Sequence, residues 1–119
     1  MVVGVCRLTL MVPESQSLKD KRMVLRSLKD RTRHKFNVAI AEVGAGDLWQ
    51  EAVVGFAVVA NERGFVESVV EKTVAFVEEL AIAKIVDDER DFLVYGDEPL
   101  GETPRAGWEP DPRPTIRRR

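Results

Sequence analysis

The sequence predicts an α+β sandwich, with four strands and two helices in the order β, α, β, β, α, β and both helices on one face of an antiparallel sheet. Three observations carry this. Val2 to Val12 and Trp49 to Ala60 are nearly continuous aliphatic runs, as expected of strands at the centre of a sheet. Two stretches that begin near Ser17 and Asn61 repeat their apolar residues at steps of three and four, the period of an amphipathic helix. The 119 residues are 45% apolar and 32% charged, which suits one globular domain with a single core.

Taken in order, the first strand is stopped by Pro13. Ser17 stands three residues before Asp20, a capping-box arrangement, and the acid also suits the positive end of a helix dipole. The helix so begun ends near His34. Phe36 to Val43 then alternates, with Phe36, Val38 and Ile40 on one face, and Gly44 to Asp47 reads as a hairpin connection to the second central strand. Asn61 is the predicted cap of a second helix of about 18 residues. Phe65 or Val66, Val69, Val70, Thr73, Phe76, Val77 and Leu80 would face the core, and Glu67, Glu71, Lys72, Glu78 and Glu79 would face outward.

Ala83 to Tyr95 is apolar at both ends and interrupted by Asp87, Asp88, Glu89, Arg90 and Asp91. That pattern suits an edge strand with a bulge or turn. With right-handed crossovers and the first and third strands central, this order gives the split βαβ, or ferredoxin-like, sandwich. The domain occupies residues 1–96. Beyond it five of the six prolines and a terminal Arg-Arg-Arg mark an extended tail, 97–119, with Leu100 and Trp108 as its expected anchors. The sheet face without helices needs an apolar cover, for which a second subunit, the tail or stacked bases are the alternatives.

The formal net charge of −2 hides a segregation. Residues 19–35 carry eight cations against Asp20 and Asp30, whereas residues 42–102 carry fifteen acids against Arg63, Lys72, Lys84 and Arg90. On a helix turning 100° per residue, Lys19, Arg22, Arg26, Lys29 and Arg33 share a sector roughly 80° wide. Leu18, Val24, Leu25 and Leu28 form the apolar stripe on another flank. Five like charges in one sector repel one another, at a few tenths of a kcal/mol per neighbouring pair. A phosphate lattice would offset that cost; the alternative is a solvated face partly neutralised by acidic surfaces. Lys21, Lys35 and the terminal arginines would assist the five. Twelve Arg against six Lys, with only four Asn and Gln together, is a thermophile-like composition.

The chemistry available elsewhere is limited. No apolar run approaches a membrane span, and the amino terminus reads as a strand and not a signal peptide, so the expected location is cytoplasmic. Cys6, the single cysteine, lies within an apolar strand and reads as a buried hydrophobe. His34 is the single histidine, which leaves no His cluster for a metal and no Ser/His/Asp or Cys/His arrangement without it. Asp87 to Asp91 lack the spacing and Gly of a calcium loop and read as a solvated turn. Trp49 is either a core or dimer-interface anchor or a stacking platform for a base, and Trp108 has the same two roles open to it. The reading is a non-enzymatic protein without cofactor or metal, with RNA or a ribosomal particle as partner. The runner-up is a homodimeric interaction module that joins through the open sheet face or the tail.

Three segments, SLKDKR at 17–22, FNVAIAE at 36–42, and Asp47 with Trp49 and Gln50, together resemble the YlxP-like family of small bacterial proteins, whose function is not assigned. The resemblance spans roughly residues 1–95. It implies a ferredoxin-like fold and a gene setting among translation and ribosome-maturation genes, hence RNA or the ribosome as partner, and it implies no chemistry. Ala39 stands where the resemblance leads one to expect Ser, which argues against a nucleophile there. It assigns no role to Asn37, Glu42 or Asp47; Asp47 reads as a turn cap.

Overall fold

A computed structural model describes residues 1–13 and 15–96. Its elements are β1 (Val2–Met11), α1 (Leu18–Lys35), β2 (Ala39–Gly44), β3 (Glu51–Ala60), α2 (Arg63–Leu80) and β4 (Lys84–Val94). The sheet order is β2-β3-β1-β4, and every neighbouring pair is antiparallel. The two aliphatic runs are therefore the central strands, as their sequences require.

Alternation along the strands sorts the residues by face. Cys6, Leu8 and Leu10 of β1 and Val54, Phe56 and Val58 of β3 point to the helices and are buried. Leu25 and Leu28 of α1, and Val66, Val70 and Val77 of α2, close over them. Each such side chain contributes about 1.5–3 kcal/mol by leaving water. The approach is closest at Gly4 of β1, where a Cβ would lie 2.6 Å from Val66 Cγ1 and 3.1 Å from both Val70 Cγ2 and Phe92 Cε1. Glycine lets α2 lie directly on the strand at that point.

Several boundaries differ from the sequence expectation. Phe36 does not open β2: its N–H bonds to Thr32 O at 2.8 Å to end α1, and its ring meets Phe76 of α2 edge-on at 5.6 Å. β3 begins at Glu51 and not at Trp49, because the chain bends there and the Gln50 side-chain amide donates to Pro13 O (3.2 Å) and Ser15 O (3.1 Å). Glu62, not Asn61, caps α2. Its carboxylate accepts from Phe65 N at 2.8 Å, three residues on, a donor that a cap at 61 would meet one residue too early.

The acids 87–91 form no turn. They lie within β4, which is one continuous strand with its irregularity at Val86, where the register against β1 shifts between Thr9 and Leu10. Pairing with β1 on one side supplies enough backbone hydrogen bonds to hold a highly charged edge strand extended. The expected tail, with Leu100, Trp108 and the terminal arginines, lies outside the described residues.

Candidate nucleic-acid interface

The basic helix is fixed at its start by short-range bonds. Ser17 Oγ accepts from Asp20 N at 3.0 Å, and Asp20 Oδ2 accepts from Gln16 N at 3.1 Å, so two otherwise unpaired N–H groups are satisfied. From Lys19 to Arg33 the helix rises roughly 21 Å, at 1.5 Å per residue. Lys19, Arg22, Arg26 and Arg33 are exposed and Lys29 is half-buried. No described acid pairs with Lys19, Arg22, Arg26 or Lys29. Arg33 is engaged: Nη2 meets Asp30 Oδ1 at 2.9 Å and Nη1 donates to Ile40 O at 3.2 Å. That second bond sets the ridge on the flank of α1 next to the edge strand β2.

Two expected helpers fall elsewhere. Lys21 is buried, with 1% of its surface exposed. Its ammonium donates to Ala45 O (2.7 Å) and Glu51 O (3.1 Å) and lies 3.4 Å from Glu42 Oε2. It is a tie between α1 and the β2–β3 connection, and its burial keeps it out of reach of a phosphate. The reason lies in helical geometry: Lys21 follows Lys19 by 200°, which places it inside the stripe of Leu25 and Leu28. Glu42, for which the sequence suggested no role, is thereby the counterion of a buried lysine. Lys35 lies on the flank facing α2, its ammonium 5.4 Å from the centre of the Phe76 ring. The ridge proper is Lys19, Arg22, Arg26 and Lys29, with Arg33 at its end.

Trp49 is 56% exposed beside the exposed Leu48 at the β2–β3 connection, so it is no core residue. The strand expected to start at Trp49 begins two residues later, at Glu51. His34 is exposed on α1 and Cys6 is buried under the helices, so the structure does not bring them together.

A second polar cluster joins β1, β4 and α2. Arg90 bonds Asp88 through Nε (3.0 Å) and Nη2 (2.8 Å) and Glu71 through Nη1 (2.7 Å), while Cys6 Sγ lies 3.6 Å from Asp88 Oδ1. Burial, aided by the Asp88 charge, pushes the Cys6 thiol up to about 12, and it is protonated and unreactive at neutral pH. The hydrogen bond from Arg90 holds the Asp88 carboxyl below its usual value. These groups satisfy one another. Among the described residues no three metal-ligating side chains converge, and no helix is long and apolar enough to cross a membrane.

Residues 3–90 match the family described as "Protein of unknown function (DUF503)". The chain belongs to this family. Over 77 residues it is 34% identical to the uncharacterized protein YlxP of Bacillus subtilis (strain 168), a match covering 65% of this chain and 84% of that protein. Among solved structures it is similar to a de novo designed protein with ferredoxin fold. That match has a TM-score of 0.51 and 13% identity, and covers 88% of this chain and 97% of the other. This member of the family therefore has the ferredoxin-like fold, and the SLKDKR and FNVAIAE segments acquire a structural meaning. They hold Ser17, Lys21 and Glu42, the cap and the buried tie at one end of the molecule.

Proposed function

We propose that this protein contacts RNA, free or in a ribosomal particle, through the exposed ridge of α1. The observation that carries the reading is the row of four cations, Lys19, Arg22, Arg26 and Lys29, none paired with a described acid on a surface otherwise rich in acids. Such a row costs stability through self-repulsion and returns it when phosphates replace counterions. Contact of this kind positions a backbone and reads little sequence. The gene setting implied by the family resemblance supports RNA over other polyanions.

Binding of the full chain to a structured ribosomal RNA fragment, followed by fluorescence anisotropy, tests this. Four phosphate contacts predict a loss of affinity of roughly 50- to 150-fold between 50 and 200 mM salt, from the counterion-release slopes of single strands and duplexes. The variant Lys19→Gln/Arg22→Gln/Arg26→Gln/Lys29→Gln should bind weakly with a flat salt response. Equal affinity of the two proteins at low salt would overturn the proposal.

A further inference from the structure

We propose that the open face of the sheet is the interface of a two-fold symmetric homodimer. The register brings Leu93, Val3 and Val59 side by side on the face away from the helices, and Val59 and Leu93 are 60% and 54% exposed. Next to this apolar ridge the same face is hollow. Ala39 pairs with Ala57 and Ala41 with Gly55, and these four short residues floor one side of a shallow cavity of about 660 Å³ whose other side is lined by Val5, Arg7, Glu89 and Asp91. One face thus carries a projection and a matching depression. A two-fold axis lying between two facing sheets, and passing between ridge and hollow, seats the ridge of each copy in the hollow of the other.

Charge and area select this occupant. No strand residue on the open face is aromatic, so bases have nothing to stack on. The face holds two cations, Arg7, already paired with Glu89, and Lys84, against the four acids Glu51, Asp87, Glu89 and Asp91. Its net charge therefore repels phosphate. Apart from Glu51 at the start of β3, those acids lie on the edge strand β4, where they form a polar rim, the usual anatomy of a protein interface. Strand lengths, a 3.3 Å rise and a 4.8 Å spacing give the face roughly 600 Å². Two copies would then bury roughly 1,200 Å², at the lower end of what specific interfaces bury.

Sedimentation equilibrium of the full chain at about 100 μM, well above the micromolar range open to interfaces of this size, is the test. The expected mass is twice the 13.4 kDa of one chain, and it persists at high salt because the ridge is apolar and salt screens the acids of the two copies from each other. Val59→Lys and Ala57→Glu place charge on the ridge and in the hollow, and each should return the mass of a single chain while far-ultraviolet circular dichroism stays unchanged. Val59 is exposed, so its variant folds even if Ala57→Glu does not. A wild-type protein sedimenting as one chain overturns the proposal, as does a dimer that salt dissociates or that survives Val59→Lys. Both variants keep the α1 ridge, so RNA binding and dimer formation fail separately.

Discussion

Lys21→Met gives the sharpest test of how the structure assigns the basic residues. Methionine keeps most of the aliphatic volume and removes the ammonium. The carbonyls of Ala45 and Glu51 then lose a donor each, at about 1 kcal/mol apiece. The Glu42 carboxylate also loses its counterion, and its Oε2 is buried with no hydrogen bond of its own. Removing one partner of a fully buried ion pair costs about 3–5 kcal/mol. The Glu42 side chain is 29% exposed, so water can turn to it and the lower part of that range applies. The sum is about 5 kcal/mol, or a fall in Tm of roughly 20–40 °C for a domain of this size. Urea unfolding with Lys19→Met as the exposed control measures it; the control should move by less than about 0.5 kcal/mol. The double variant Lys21→Met/Glu42→Leu should recover about half the loss, because the stranded carboxylate is gone. A loss below about 1 kcal/mol would refute the reasoning. So would RNA affinity that drops in Lys21→Met while Tm holds, since the ammonium would then face solvent.

Three further outcomes follow from the packing. Gly4→Ala should destabilise by about 1–3 kcal/mol in chemical unfolding, because its Cβ would press on the buried Val66 and Val70; an unchanged midpoint would show that α2 can shift away. Ala81, with φ 56°, ends α2 in the left-handed region, so Ala81→Gly should raise stability by up to about 1 kcal/mol in the same assay. The Cys6 thiol is raised in the native state, so the stability it contributes is complete below about pH 9 and is lost as pH rises toward 12. Alkylation by iodoacetamide at pH 8 should accordingly be slow in the folded protein and fast in urea, and Cys6→Ala should remove that part of the alkaline destabilisation.

Most of the fold was legible because it rests on periodicity. Two aliphatic runs identify β1 and β3, and the recurrences in α1 and α2 identify the helices, since burial on one side imposes those patterns directly. The boundaries were less legible. Phe36 has the character of a strand residue and is used to end a helix, because Thr32 O needs a donor and Phe76 offers a ring to pack on. Glu62 displaces Asn61 as a cap because reach, not residue preference, decided which oxygen met Phe65 N. The ridge follows from helical spacing, whereas Lys21 shares only its charge with it. The angle that gathers Lys19, Arg22 and Arg26 places Lys21 among leucines, so the signal was present in the same geometry. What no spacing could supply is the identity of its partners, which come from β2 and from the residues on either side of the hairpin.

The position of β1 also governs how the chain reaches its native state. This strand bonds β3 on one side and β4 on the other, and Arg7 meets Glu89 across 82 residues of sequence. Its second edge therefore stays open until nearly the whole domain is available to close it. Such distant pairing pays its loop-closure entropy before any reward arrives, which makes for slow folding and for an interval in which aliphatic backbone is free to pair wrongly. The acids of β4 then act during folding as well as after it. The strand that arrives last is the one whose charge keeps it from joining its counterpart in another chain.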